Sequence, residues 1–369
     1  MDTEKVKICF FIPSLNAGGA EKMLIKLANH FAKKNDFYIF FIVLRGGLLT
    51  KDLDLENIKL INLQKKRALY SIFSLARMLK DIQPDVTFSA LGHANVTAVI
   101  SRIVSRTKTR VIISERSTIS NAPLFTSKIK SKINKYVYRF FYLKSDGIIA
   151  ISNGVREDLV KTLSIPESKI SVIYNPAYPE NIEKVIPIER SELLNDDTTK
   201  FIITVGRLEK AKDFLTLLRS INLIKDNNLH LFILGEGSQR PLLERYITEH
   251  NLSDIVTLQG FVEEPYRWLK SADLYVCSSA WEGFGNSLVE AMACGLPVVS
   301  TDCAGPKEIL GDLGKLVPVG DEVLMADAIL NALKAQNNNV FRERAKYFSI
   351  NKISEQYLKV LMAGMYTGK

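Results

Sequence analysis

Short apolar runs of strand length alternate with stretches of helical spacing along the whole chain, and that alternation restricts it to an α/β fold built on parallel sheets. The first run, Lys5 to Pro13, is almost wholly apolar, the pattern of a parallel strand buried on both faces. Further strands are predicted at Phe37–Leu44, Ile58–Leu63, Asp85–Ser89, Arg110–Ser114, Gly147–Ile151 and Ile170–Tyr174. Residues 178–199 are polar, interrupted by proline and without sustained period, which reads as an interdomain linker. A second series follows at Phe201–Val205, Leu229–Leu234, Ile255–Gln259, Leu274–Ser278, Pro297–Ser300 and Lys315–Val317. Two domains are therefore expected, residues 1–177 and 200–351, each a parallel sheet with helices on both faces. In such sheets ligands bind beyond the carboxyl ends of the strands, so the residues that leave those ends are the candidates for chemistry.

The most informative of them run from Trp281 to Glu290. Two carboxylates, Glu282 and Glu290, flank the turn Gly283-Phe284-Gly285, and a helix is predicted to open near Asn286, Ser287 and Leu288. A helix start presents unpaired N–H groups and a positive dipole end, which suits a phosphate, and the glycines allow a close backbone approach. Two carboxylates at two depths suit one ligand with hydroxyls at both ends and phosphates between, a nucleotide sugar. Gly206-Arg207 leaves an earlier strand end and Lys212 enters the next helix, so both cations can converge on a pyrophosphate. In the first half, Gly18-Gly19 follows the first strand without the spacing of a dinucleotide fingerprint. His93 follows the strand at Asp85–Ser89 and is a candidate hydrogen-bonding group for a sugar. Glu115 could orient an acceptor hydroxyl, and Arg116 could hold an anionic acceptor.

Taken together, the 281–290 stretch resembles the glutamate–seven-residue–glutamate signature of glycosyltransferase family 4, retaining enzymes of the GT-B fold. The resemblance covers almost the whole chain and is strongest over 201–309. It implies two Rossmann-like domains facing each other across an interdomain cleft, with a final helix, 352–369, crossing back to the first. It implies that Glu282 holds the hexose, Glu290 the ribose, and Arg207 and Lys212 the diphosphate, with Gly18 and Gly19 approaching from the opposite domain. Gly235, Gly237 and Phe261 would shape the nucleotide pocket. Related bacterial glycan-assembly enzymes often carry Glu-His-Ser or Glu-Arg-Asn where this chain has Glu115-Arg116-Ser117, so no histidine is available at that place.

The net charge of +9 is uneven: residues 1–180 hold 28 Lys and Arg against 15 Asp and Glu, while residues 181–369 hold 21 against 25. A basic half calls for an anionic partner. Two of its segments are also amphipathic. Lys65, Lys66 and Arg67 precede a helical stretch with Leu69, Ile72, Leu75, Ala76 and Leu79 on one face. Residues 127–144 interleave Lys128, Lys132, Lys135 and Arg139 with aromatic and aliphatic side chains, as at the headgroup level of an anionic membrane. No apolar run approaches the ~18 to 20 residues needed to span a bilayer, and the first five residues are not a secretory leader, so a cytoplasmic, peripheral membrane location is expected. The cysteines at 9, 277, 294 and 303 lack metal-ligand spacing and read as reduced structural thiols. Asp52-Leu53-Asp54 lies in a polar loop away from the strand ends, and no metal or other cofactor is expected.

The expected activity is transfer of a hexose or N-acetylhexosamine from a nucleotide diphosphate sugar, most simply a UDP-sugar, to a lipid-linked saccharide in bacterial surface polysaccharide or glycan assembly. A GT-B isomerase acting on a UDP-sugar is one alternative, and a basic nucleic-acid-binding protein another. No nucleic-acid motif accompanies the basic half, and the carboxylate pair would repel a phosphate backbone.

Overall fold

A computed structural model of the protein describes residues 5–364, apart from residues 17, 123–127, 195, 197 and 336–338, and gives no side-chain surroundings for 128–131. The chain divides into two compact units, Met1–Pro176 with Ile350–Lys369, and Ala177–Ser349.

The first unit holds a seven-stranded sheet, and every paired neighbour is parallel. Its strands are β1 (Val6–Ser14), β2 (Phe37–Arg45), β3 (Ile58–Asn62), β4 (Val86–Ala90), β5 (Arg110–Glu115), β6 (Gly147–Ala150) and β7 (Ile170–Val172), in the order β3-β2-β1-β4-β5-β6-β7. Each predicted strand is present, with ends shifted by one or two residues. Parallel connections need crossover helices, and these are α1 (Gly19–Ala32), α2 (Ile72–Ile82), α3 (Gly92–Ser105), α4 (Lys128–Leu143) and α5 (Asn153–Leu163). The order reverses between β1 and β4, so the chain leaves these two neighbouring strands towards opposite faces and opens a crevice at their carboxyl ends.

The second unit repeats the arrangement with β8 (Lys200–Val205), β9 (Leu229–Leu234), β10 (Val256–Gly260), β11 (Leu274–Cys277), β12 (Val298–Thr301) and β13 (Lys315–Val317), ordered β10-β9-β8-β11-β12-β13. Its helices are α6 (Phe214–Leu223), α7 (Arg240–Glu249), α8 (Pro265–Ser271), α9 (Asn286–Ala293), α10 (Ala304–Leu310), α11 (Glu322–Lys334) and α12 (Val340–Ala345). Here the reversal falls between β8 and β11, the two strands that precede Arg207 and Glu282.

Two expectations need correction. Residues 178–199 are not a free linker but part of the second unit, tied down by backbone carbonyls and an ion pair. Lys270 Nζ donates to Val185 O at 2.8 Å, Ser271 Oγ to Ile188 O at 2.7 Å, and Arg190 pairs with Asp273 at 3.0 Å. Polar composition hid this, because only a few apolar side chains of the segment, Ile182 and Leu194 among them, are buried and they follow no period. The last helix, α13, spans Ile350–Leu361 rather than 352–369, and residues 365–369 lie outside the described residues.

Helix α13 belongs to the first unit: Ile350, Ile353, Tyr357 and Leu361 recur at helical spacing and bury into the core formed by Phe10, Phe41 and Phe88. Tyr357 meets Phe88 edge to face, with ring centroids 5.6 Å apart. The chain's end thus completes its beginning. Ile353 is inaccessible to solvent. Ile353→Ala should destabilise the first unit by about 2–5 kcal/mol, measured by denaturant unfolding, while a solvent-facing residue of the same helix such as Lys359→Ala stays within ~0.5 kcal/mol.

Candidate functional site

In the second unit the loops leaving β8 and β11 are bound to each other. Ser278 Oγ donates to Lys212 O at 2.8 Å and Ala280 N donates to Ala211 O at 2.9 Å. These contacts bring Lys212 Nζ onto Glu282 Oε2, an ion pair in which both side chains are about one-fifth exposed. Burial alone would lower the Lys212 pKa, but the Glu282 carboxylate outweighs it and holds the ammonium above its ordinary value. Ser279 Oγ lies 3.4 Å from the same carboxylate oxygen. Arg207 stands differently: it is exposed and, among the described residues, makes no side-chain hydrogen bond or ion pair. A free guanidinium fork therefore lies at the end of β8, on the strand beside the one that leads to the ion pair.

Glycines set the backbone around these groups. Gly235, at φ +146°, passes so close to Gly206 that a Cβ there would collide with the Gly206 carbonyl, and its N–H donates to Gly260 O at 2.7 Å. The turns after β8, β9 and β10 are thereby nested, with Gly237 packed in the same way on Leu208. Gly285, at φ +112°, is the N-cap of α9 and brings no side chain over that helix's first turn. Helix α9 opens where the sequence places it, at Asn286. Ser287 Oγ lies 2.8 Å from the Tyr275 hydroxyl, which fixes its rotamer.

Not every residue of the stretch faces a ligand. Phe284 is buried, packed edge to face on Phe348 at 5.4 Å, and Leu288 is a core residue whose N–H returns to Gly285 O. Their side chains are structural, so any contribution of these two residues to a donor site is left to their backbone. Phe261, by contrast, is 64% exposed just beyond β10. Glu290 is half-buried in α9, and the Tyr266 hydroxyl approaches its Oε1 at 3.4 Å. Burial and that carboxylate push the Tyr266 hydroxyl well above its usual pKa. Sequence reasoning missed Tyr266 because α8 is short and carries no motif. Ser278 and Ser279 did carry a signal, a polar pair closing a buried strand.

In the first unit Gly18 and Gly19 open α1 after β1, and His93 lies exposed in the first turn of α3 after β4. Leu91, which joins β4 to α3, has φ +79°, a conformation that costs a branched residue about 1–3 kcal/mol and marks the turn as imposed by its surroundings. Glu115 is not open at the strand end. It is buried, and its Oε1 accepts hydrogen bonds from the Tyr142 hydroxyl and from Asn95 Nδ2, the latter at 3.1 Å; Ser89 Oγ donates to Asn95 Oδ1 at 2.8 Å. Burial pushes the Glu115 carboxyl up to about 7, against the pull of those two donors.

The basic helices also depart from expectation. Leu69 is exposed rather than core, because the 3₁₀ turn Ala68–Ser71 ahead of α2 breaks the 3.6-residue register. With Tyr70 and Phe73 it leaves an apolar face beside Lys66 and Arg67, which are exposed, and Lys65, which is half-buried. Helix α4 turns Tyr138 and Tyr142 inward and leaves Ile133, Tyr136, Val137 and Phe140 exposed, with Lys132 exposed and Lys135 half-buried among them. Arg139 is not available to a surface, since its guanidinium caps the carbonyls of Leu163 and Ser164 at the end of α5. The Lys128 side chain lies outside the described residues. No helix among the described residues is long and apolar enough to cross a membrane.

Comparison with known proteins agrees with this geometry. The family described as Glycosyltransferase Family 4 matches residues 17–181, and that described as Glycosyl transferases group 1 matches residues 185–352. The chain is 31% identical to the N-acetylgalactosamine-N,N'-diacetylbacillosaminyl-diphospho-undecaprenol 4-alpha-N-acetylgalactosaminyltransferase of Campylobacter jejuni, covering 96% of this chain and 99% of that one. It is 26% identical to the lipopolysaccharide 1,6-galactosyltransferase of Escherichia coli, over 83% of this chain and 82% of that one. Among solved structures, HepE of Anabaena in complex with UDP-glucose superposes with a TM-score of 0.80 at 21% identity, covering 97% of this chain and 99% of that one. The chain belongs to glycosyltransferase family 4 and is a glycosyltransferase with the two Rossmann-like domains of the GT-B class.

The buried Glu115 network carries a pH signature. A carboxyl whose folded pKa of about 7 exceeds its ordinary 4.5 holds its proton more tightly when folded, so its contribution to stability is full below pH 4.5 and is lost as the pH rises towards 7. Glu115→Gln should remove that slope. Thermal unfolding of the two proteins at pH 4.5 and pH 8 should show the wild type losing stability relative to the variant.

Proposed function

We propose that the protein is a retaining, metal-independent transferase that moves a hexose or N-acetylhexosamine from a UDP-sugar to a lipid-linked saccharide at an anionic membrane surface. The observation that carries the reading is the group at the strand reversal of the second unit, where the Lys212–Glu282 ion pair, the free Arg207 and the glycine-capped start of α9 occupy neighbouring strand ends.

On this reading the donor diphosphate takes the Arg207 fork and the α9 terminus. Lys212 stands ready to share its charge between Glu282 and the departing phosphate. Glu282, held by Lys212 and Ser279, accepts hydroxyls of the hexose, and Glu290, oriented by Tyr266, accepts those of the ribose. Two cations and a helix dipole neutralise the leaving group, so no metal has to be recruited. No side chain is required as nucleophile, because the acceptor hydroxyl enters on the face from which the diphosphate departs. The alpha linkages in the relatives' names, together with UDP-glucose in the structural neighbour, support the donor class and the retained configuration. The acceptor class is supported by relatives that act on diphospho-undecaprenol-linked sugars.

The membrane surface is supported by the exposed Tyr70 and Phe73, which follow Lys65, Lys66 and Arg67 at the start of α2, and by Tyr136 and Phe140 among the lysines of α4. Each cation contributes only ~1 kcal/mol against anionic lipid, so the cluster rather than any one residue sets the affinity.

Incubated with a panel of nucleotide sugars and a lipid-linked acceptor, the protein should release UDP from one donor with or without EDTA. Arg207→Ala and Glu282→Ala should each lower kcat/KM by roughly 100-fold or more. Failure to bind any nucleotide sugar would sink the transferase reading. Sedimentation with anionic vesicles should be strong at low salt, weak above ~0.5 M salt and absent for neutral vesicles, and Phe73→Ser with Tyr136→Ser should weaken it without changing turnover of a water-soluble acceptor.

A further inference from the structure

We infer that Arg116 is an oxyanion site in the first unit and that its occupant is a diphosphate. Arg116 follows β5 directly, at the carboxyl edge of the sheet. Its guanidinium is fixed from one side only: Nη1 donates to the Tyr357 hydroxyl at 3.1 Å and to Ser114 Oγ at 3.4 Å. Both anchors are buried, and Tyr357 is locked against Phe88 in the core. The other side, Nε and Nη2, is the pair of parallel N–H groups that matches a carboxylate or phosphate edge. Both nitrogens are buried, and among the described residues neither has a partner.

The nearest carboxylate in the sequence does not serve it. Glu115 lies on the other face of the strand, bound to Tyr142 and Asn95, and takes only the backbone N–H of Arg116. A desolvated guanidinium whose hydrogen-bonding edge faces no acceptor is unfavourable in the empty protein and becomes favourable when an oxyanion fills the fork. Water would satisfy the N–H groups but not the charge. Helix α1, which opens at Gly19, packs against α13, the helix that anchors Arg116, so a helix N-terminus and the Arg116 fork share one face and one edge of the sheet.

The class of occupant rests on the transferase reading. A transferase of this kind meets two diphosphates, that of the nucleotide donor and that of a polyprenyl-linked acceptor. Their shared chemistry is what the fork recognises, and the source is an outcome of the test.

The test measures binding of inorganic pyrophosphate, UDP and farnesyl diphosphate to the full chain in an Arg207→Ala background, so that the second unit's cation does not mask the first. Adding Arg116→Gln should weaken pyrophosphate binding by about tenfold or more, without lowering the melting temperature of the unliganded protein. Loss confined to farnesyl diphosphate assigns the fork to the acceptor, and loss confined to UDP assigns it to the donor. Tyr357→Phe, which keeps the charge and removes the anchor, should weaken the same ligand several-fold, and it decides the matter if Arg116→Gln does not fold. Unchanged binding of all three ligands in both variants would overturn the inference. Nucleotide-sugar turnover by the protein with Arg207 intact would in that case leave the transferase reading standing.

Discussion

A parallel sheet sends every connection across one of its faces, and where the strand order reverses, two neighbouring strands send their chains to opposite faces and leave a crevice between them. In this protein that happens twice, at β1 and β4 and at β8 and β11. The groups with chemistry follow from it. Gly18-Gly19 and His93 leave the first pair of strands, and Arg207 and Glu282 leave the second. The sheet therefore chooses the positions, and the sequence needs only to place suitable residues one or two steps beyond each strand.

Within the second crevice the Lys212–Glu282 pair is the next constraint. Two charges about one-fifth exposed are costly to leave single, so each holds the other in the empty protein. The loops that carry them are joined by Ala280 N and Ser278 Oγ, which donate to the carbonyls of Ala211 and Lys212, and this makes the pairing a property of the fold rather than of two flexible side chains. On the proposed reading, a ligand that brings both hydroxyls and phosphates would exchange this pair for partners of its own without leaving either charge bare. Arg207, which starts unpaired, loses no such partner on binding.

Strands, helix starts and the two-unit division were legible in the sequence because buried parallel strands are nearly continuous apolar runs bounded by glycine turns. Arg207, Lys212 and Glu282 were legible because they leave strand ends. What a side chain does after leaving was not. Phe284 lies between two glycines of a ligand-like turn yet points into the core, and nothing in its neighbours' identity says so. Glu115 is buried by partners 27 and 20 residues away, Tyr142 and Asn95, which only the packing of α3 and α4 on β5 brings together. Leu69 was misplaced because a single 3₁₀ turn shifts the face, and a periodic pattern cannot register one turn of different pitch. The 178–199 segment was misread because it is attached through carbonyls, one ion pair and scattered apolar side chains such as Ile182 and Leu194, none of which leaves a periodic pattern.

The two units consequently meet polar chemistry in different ways. In the second, charged side chains stand in or near solvent and the surrounding precision comes from the backbone, with Gly235 letting loops approach more closely than any Cβ permits and Gly285 supplying the positive φ ahead of α9. In the first, the strand ends carry a buried set of side chains in which Glu115, Asn95, Tyr142 and Ser89 satisfy one another. A buried network of that kind is unforgiving, since removal of one member leaves another without a partner in a place water does not reach. It also fixes α4 by its inner residues, with Tyr138 against Gly92 and Tyr142 on Glu115, so the helix with the exposed aromatic face is held through the turn that presents His93. The strain at Leu91 is sustained by the same packing. The rigidity of the first crevice thus comes from side chains that never reach it.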